Sequence, residues 1–281
     1  MARIEPAISS GGLLKLYQAL WAPYYDAVLR TLGSTGVILP IGDPHHGQPN
    51  AATFTTKGEE QVTFTWSEAP SAFDAALDLT DPDSFQGIVP VIVFNGTDEE
   101  ADSPDANYWT RGDGSVDLAF SVGAWINLTD ATSSTIMGKF ESTGNLREWF
   151  YIFGSGDRAI LRLRDESASV EVERVADVAI SQDVWHFVVA TYDGTGGPSA
   201  MDNARMYEDG VAVASTAANN GSYVAMENKT AVVSIGVYDG STSFFSGKMA
   251  GGPLGPLFTQ KELTADEVRA LYDLGRAALA L

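Results

Sequence analysis

Residues 13–32, LLKLYQALWAPYYDAVLRTL, set Leu13, Leu16, Tyr17, Leu20, Tyr24, Val28 and Leu32 at spacings of three and four, which is the period of one helical face. Pro23 has no amide hydrogen for the helix interior, so the stripe predicts either one kinked helix or two short ones. Gly33 and Gly36 end the pattern. From there the punctuation becomes that of β structure: the apolar run GVILP is closed by Gly42, Asp43 and Pro44, as strands bounded by turn residues are. Residues 44–89 mix alternation, in TFTTKGEEQVTFTW, with no clear period. They read as an irregular insertion carrying a hairpin.

Beyond Pro90 short apolar runs recur at the spacing of a β-sandwich: VIVFNG, AFSVGAWINL, TIMGKF, EWFYIFG, AILRLRD, SVEVERV, VWHFVVATYDG, ARMYEDGVAVAS, VVSIGVYDG and FFSGKM. Phe120, Val122, Ala124 and Ile126 alternate with Ser121, Gly123, Trp125 and Asn127, which places the two sets on opposite faces of one strand. Asp209-Gly210 is a tight-turn signal, because both residues tolerate positive φ. At the end, LTADEVRALYDLGR offers Thr264 and Glu267 at capping-box spacing, an apolar face of Val268, Leu271 and Tyr272, and Gly275 as a helix stop. Together these signals predict an all-β fold: a two-sheet antiparallel sandwich with an N-terminal helical segment and a short C-terminal helix. The organisation expected is a helical arm over 1–33 and a β-domain over 34–281 with the insertion at 44–89.

Composition narrows the partners. The chain of 281 residues is 44% hydrophobic and 19% charged, the make-up of a folded globular protein. Its 37 acidic and 17 basic residues give a formal charge of −20, which repels nucleic acid and anionic lipid. The absence of cysteine removes disulfides, thiolate metal sites and cysteine nucleophiles. The first residues lack the basic-then-apolar plan of a secretory signal. No apolar run reaches the roughly 18 residues of a membrane span.

Several segments resemble the laminin-G-like jelly roll of the concanavalin A-like superfamily. The most specific is Val184–Gly194, similar to the family's W-H-x-V-A-x-T-Y-D-G strand, followed by Met206, Tyr207, Glu208, Asp209 and Gly210 in place of L-Y-x-D-G. FSVGAW at 120–125, VFNGTD at 93–98, SIGVYDG, FFSGKM and the closing LTADEVRALYDLG match further segments in the family's order. The opening YDAVLRTLGSTGVILPIGD is also similar, with Leu39 where an aromatic is usual, so the resemblance spans roughly 25–276. It implies a jelly roll built to bind or coat a surface.

For chemistry, the resemblance implies three questions. Glycosidases of this fold carry Glu-x-Asp-x-x-Glu on a central strand, whose two carboxylates must face one cleft. The nearest string here is Glu100, Asp102 and Asp105, which Pro104 marks as an acidic loop, so no enzyme activity and no catalytic residue is expected. No G-x-S-x-G elbow, P-loop or dinucleotide fingerprint occurs. A structural calcium of the family would use Asp43 and the Gly96 carbonyl, but Lys248, Met249, Ala250 and Gly251 follow Gly247 where an acid is usual. No metal ligand is therefore expected; His45 and His46 lack a third histidine nearby, and His186 reads as a strand residue. For sugar stacking, Tyr108, Trp109, Trp149 and Tyr151 are the candidates because they adjoin loops. Arg111-Gly112-Asp113 reads as a chance tripeptide.

Two functions compete on these grounds. The favoured one is a non-enzymatic structural or surface-binding protein of a phage virion, in a tail, fibre or capsid decoration, assembled with other virion or surface proteins or as an oligomer. Release by lysis would reconcile an outside location with the missing signal. The alternative is a carbohydrate-binding adhesive module of a cell-surface or secreted protein. The N-terminal stripe is expected to serve attachment, since a dense apolar face must be covered by something.

Overall fold

The computed structural model describes residues 10–43, 52–67, 85–239 and 242–281. In chain order the elements begin with helix α1 (Ser10–Leu32), then β1 (Gly36–Ile38), β2 (Thr53–Thr55), β3 (Lys57–Gly58), β4 (Thr63–Trp66), β5 (Phe85–Gln86) and β6 (Val89–Asn95). There follow β7 (Ala101–Ser103), β8 (Phe120–Asp130), β9 (Ser134–Glu141), β10 (Leu146–Gly154), β11 (Arg158–Asp165), β12 (Val170–Ala176) and β13 (Trp185–Tyr192). The last are β14 (Arg205–Glu208), β15 (Val211–Val213), β16 (Ser215–Ala218), β17 (Val233–Ile235), β18 (Ser246–Ala250), β19 (Leu257–Thr259) and helix α2 (Ala265–Leu279).

Among the described residues these strands form two antiparallel sheets. Sheet A runs β15-β14-β13-β8-β18-β6-β5, with β19, β1 and β3 joined at its side; sheet B runs β16-β12-β11-β10-β9-β17-β7-β4-β2. Neighbours are mostly non-consecutive, as in a jelly roll. The alternation in β8 works as the sequence implies: Phe120, Val122, Ala124 and Ile126 enter the core between the sheets, while Trp125 faces the other way into a second cluster. The Asp209-Gly210 turn joins β14 to β15 with φ of 53° and 76°.

That second cluster is where the helices lie. Trp21, Tyr25, Val28 and Leu32 of α1 and Val268, Leu271 and Leu279 of α2 pack with Trp125, Phe187, Val189 and Leu257 of sheet A. The Trp21 indole donates to the Ile88 carbonyl at 2.7 Å. The second half of the expected arm, from Trp21 to Leu32, is thus packed on its own sandwich. The buried stripe is also rotated from the one read in the sequence, for Leu16 and Leu20 are 46% and 37% exposed. Helix α1 continues through Pro23 as one element, where Pro23 is exposed and water can satisfy the carbonyl that lost its partner.

Helix α2 has the capping box read from the sequence, with Thr264 accepting from the Glu267 amide and Glu267 answering to Thr264. It does not stop at Gly275; it runs to Leu279 and ends on Ala280 in the left-handed region. The hairpin at 53–66 also forms, with Phe54 opposite Phe64. It is no appendage: both rings belong to the core, and they stack at 5.2 Å. Residues 1–9, 44–51, with His45 and His46, and 68–84 lie outside the described residues.

Candidate functional site

The four aromatics expected to stack on a sugar are in the interior. Trp109, Trp149 and Tyr151 have no exposed surface and Tyr108 has 9%. Trp149 and Tyr151 sit at positions of β10 that face the core. Tyr108 and Trp109, which follow β7, meet edge to face at 4.7 Å. Two of them are tied inward by hydrogen bonds, the Trp149 indole donating to the Trp109 carbonyl at 2.9 Å and the Tyr108 hydroxyl to the Thr35 carbonyl at 2.7 Å. A stacking platform needs one ring face in water, and none of the four presents one. Arg111 is buried too, so the Arg111-Gly112-Asp113 string is no displayed loop tip.

The outer face of sheet A lies beneath the helices, which leaves the outer face of sheet B as the broad exposed surface of the sandwich. The strand registers define a row across it: Thr53, Thr65, Asp102, Ser234, Gly138, Phe150, Arg162, Glu173 and Ala218. Each residue pairs with the next, so all share one face. Gly138 is required in the middle, because a Cβ there would lie 2.7 Å from the Phe150 Cβ.

One half of this face combines aromatic and charged groups. Phe140, Phe150 and Ile152 form a small apolar cluster, with Ile160 and Tyr238 packed against it. Tyr238, on the segment after β17, meets Phe140 at 4.5 Å and Phe150 at 4.9 Å. Arg162 lies over the Phe150 ring at 5.2 Å. A chain of ion pairs flanks the cluster: Arg162 with Glu173 at 2.7 Å and Glu171 at 3.4 Å, Arg164 with Glu171 at 3.6 Å, and Arg147 with Glu166. Burial would raise the Glu166 carboxyl, but Arg147 and Arg164 bring it below its ordinary value. Burial, reinforced by the charge of Glu171, pushes the Tyr238 phenol up to about 12, so near neutral pH it both donates and accepts. The cluster therefore offers a propped ring among fixed planar donors and acceptors. Tyr238 was missed by sequence reasoning, which absorbed VYDG into the family pattern; its place just after a strand and before Asp239 was the available signal.

The other half carries the acid pair. Of the acids expected in a loop, Asp102 is instead central in β7, which pairs with both β17 and β4, while Glu100 lies in the connection just before that strand. The turn marked by Pro104 begins only after the strand ends. Burial and the neighbouring Asp102 raise the Glu100 carboxyl to about 7. Asp102 is raised by burial and partly restored by a hydrogen bond from Ser234. The third acid is elsewhere: Asp105 is held at 2.9 Å by Lys139, a fully buried cation that also pairs with Glu148. Lys139 pairs across the sheet with core residues Trp149 and Val233, so Asp105 is bound to a group coming from the inner face. The string thus does not place three carboxylates around one cleft.

A cleft of about 520 Å³ opens beside the end of α1, lined by Leu29, Arg30, Lys57, Glu59 and Gln61 among others. No aromatic ring is among these lining residues; Tyr25, whose ring is capped by the lining residue Lys57 at 4.5 Å, donates its hydroxyl to Asp43. That contact also bears on the family's calcium. Asp43 is buried and bonded to Tyr25, no acid follows Gly247, and neither Asp43 nor a neighbour of Gly96 joins any group of three metal-binding side chains among the described residues.

Comparison with known proteins follows the architecture. A model of the Laminin_G_3 family, described as the concanavalin A-like lectin/glucanases superfamily, matches residues 95–268. No curated protein matches the chain. Among solved structures, the binding domain of botulinum neurotoxin serotype G aligns with a TM-score of 0.53 at 13% identity, covering 87% of this chain and 52% of that one. A structure of botulinum neurotoxin type C, a toxin whose cell entry is described as dependent upon interaction with two ganglioside molecules, aligns with a TM-score of 0.53 at 12% identity over 90% of this chain and 52% of that one. The chain thus spans about half the length of these structures, and at such identity they share the fold. With the family model covering most of the chain, this protein belongs to the Laminin_G_3 family of the concanavalin A-like lectin/glucanase superfamily.

Proposed function

We propose that the chain is a non-catalytic glycan-binding module whose ligand lies across the exposed face of sheet B around Tyr238. The observation that carries this reading is the Tyr238 ring, half-buried against Phe140 and Phe150 and bordered by the Arg162, Glu171 and Glu173 side chains. Sugar recognition needs an apolar ring for the C–H face of a pyranose and fixed polar groups for its hydroxyls, and among the described residues both occur together at this place on the face. A ring already held by packing loses little conformational freedom on binding. The ganglioside named for the type C neurotoxin is a glycan-bearing lipid, so a glycan ligand is in keeping with the shared fold.

The absence of catalysis rests on Asp105 being drawn away from Glu100 and Asp102, which leaves a neighbouring acid pair without a separate carboxylate across a cleft. The virion setting loses one support, since Trp21, Tyr25, Val28 and Leu32 are buried on the chain's own sandwich and are not available as an attachment surface. A glycan array probed with the purified protein tests the proposal. Retention of a defined glycan class without release of reducing sugar is expected; sugar release, or a blank array, would count against it.

A further inference from the structure

A second polar cluster lies at the far edge of sheet A, remote in sequence from the Tyr238 face. His186 of β13, Glu208 at the end of β14 and Asp209 in the turn after it bring three metal-ligating atoms within 4.8 Å of one another. His186 Nδ1 is 2.9 Å from Asp209 Oδ2 and 3.3 Å from Glu208 Oε1. A nitrogen with one hydrogen can satisfy one of those oxygens well, not both. A cation about 2.0–2.2 Å from each donor in a tetrahedral arrangement would need donor separations of roughly 3.3 Å, close to what the side chains already show.

The local structure holds these donors in place. Asp209 sits at φ 53° in the turn, and its Oδ1 accepts from the Phe187 amide at 3.0 Å, leaving Oδ2 toward His186. His186 pairs with Ile126 and Glu208 with Val188, core residues both, so these two side chains project into the space between the sheets. From the opposite sheet comes the independent observation: the Tyr151 hydroxyl is fully buried with no hydrogen-bond partner, and the charge of Glu208 acts on it. His186 is itself 8% exposed and its Nε2 is buried without a partner. An inner polar group left unsatisfied is costly, unless a bound ion and its water complete the cluster. Glu208 and Asp209 are about a third exposed, which gives an ion a way in.

We infer that His186, Glu208 and Asp209 bind one divalent transition-metal ion of the Zn²⁺ class, with water at the remaining position. One imidazole and two carboxylates suit such an ion, whereas Ca²⁺ takes six to eight oxygens. The test is calorimetric titration of chelator-treated protein with ZnCl2, alongside CaCl2 and MgCl2. The wild type is expected to take up one Zn²⁺ per chain and to melt at a higher temperature with zinc than with calcium or magnesium. Affinity should fall by at least about tenfold in His186→Ala and in Glu208→Gln, and survive replacement of His45 and His46 by alanine. Absence of zinc uptake by the wild type overturns the inference whatever the variants do. So does zinc binding that persists in both His186→Ala and Glu208→Gln, or that disappears with His45 and His46.

Discussion

The indole of Trp125 lies nearly parallel to the ring of Tyr272, with centroids 5.5 Å apart and planes 10° apart. Phe187 covers it further at 5.3 Å, so the ring is clamped between sheet A and helix α2. Gly275 completes the clamp, because a Cβ there would be 2.2 Å from Trp125 Nε1.

The clamp predicts the sign of a substitution that helix propensity alone would get backwards. Gly275→Ala gains up to about 1 kcal/mol of helix propensity but forces a methyl into a filled site, where overpacking costs about 1–3 kcal/mol. Net destabilisation, read as a lower denaturation midpoint, is expected. A midpoint at or above that of the parent would mean the indole has room to move.

Helix α1 is part of the core, and Trp21 is its largest buried side chain. Trp21→Ala should cost about 3–5 kcal/mol, with the molecular mass in solution unchanged. A change of assembly state without loss of stability would restore the attachment-arm reading.

Residue Glu100 predicts a pH dependence. Its carboxyl is raised in the folded state to about 7 from a usual 4.5, by burial and then by Asp102. A raised acid contributes stability that is fully present below the unfolded value and is lost as pH climbs through the folded one. Stability should therefore decline between about pH 4.5 and 7. Allowing for solvent screening of a half-exposed group, Glu100→Gln should remove about 1–2 kcal/mol of that decline. Parallel stability curves for parent and variant across pH 4–8 would contradict the assignment.

Local signals in the sequence carried the fold well. The Thr264–Glu267 box and the Asp209-Gly210 turn depend on near neighbours in the chain, and both are present. What sequence could not supply was facing. In α1 the pairs Leu20–Trp21 and Tyr24–Tyr25 make two adjacent faces apolar, and only docking on sheet A selects the one that is buried. Gly275 looks like a stop because a packing requirement and a helix end both call for glycine. Trp149 and Tyr151 adjoin a loop in sequence, yet strand parity turns them inward, while Phe150 between them faces out. Asp102 and Ser234 are 132 positions apart and become neighbours only through the pairing of β7 with β17, so the site on sheet B was assembled by topology rather than by any single motif.

The central claim is that the face around Tyr238 holds the glycan. It is tested most directly by titrating a glycan retained on the array against the parent, Tyr238→Ala, Arg162→Ala and, as a control in the separate cleft, Arg30→Ala. Each of the first two substitutions should weaken binding by at least about tenfold, equivalent to about 1.4 kcal/mol, with Arg30→Ala binding like the parent. Unchanged affinity in both Tyr238→Ala and Arg162→Ala, or a loss confined to Arg30→Ala, would contradict the account.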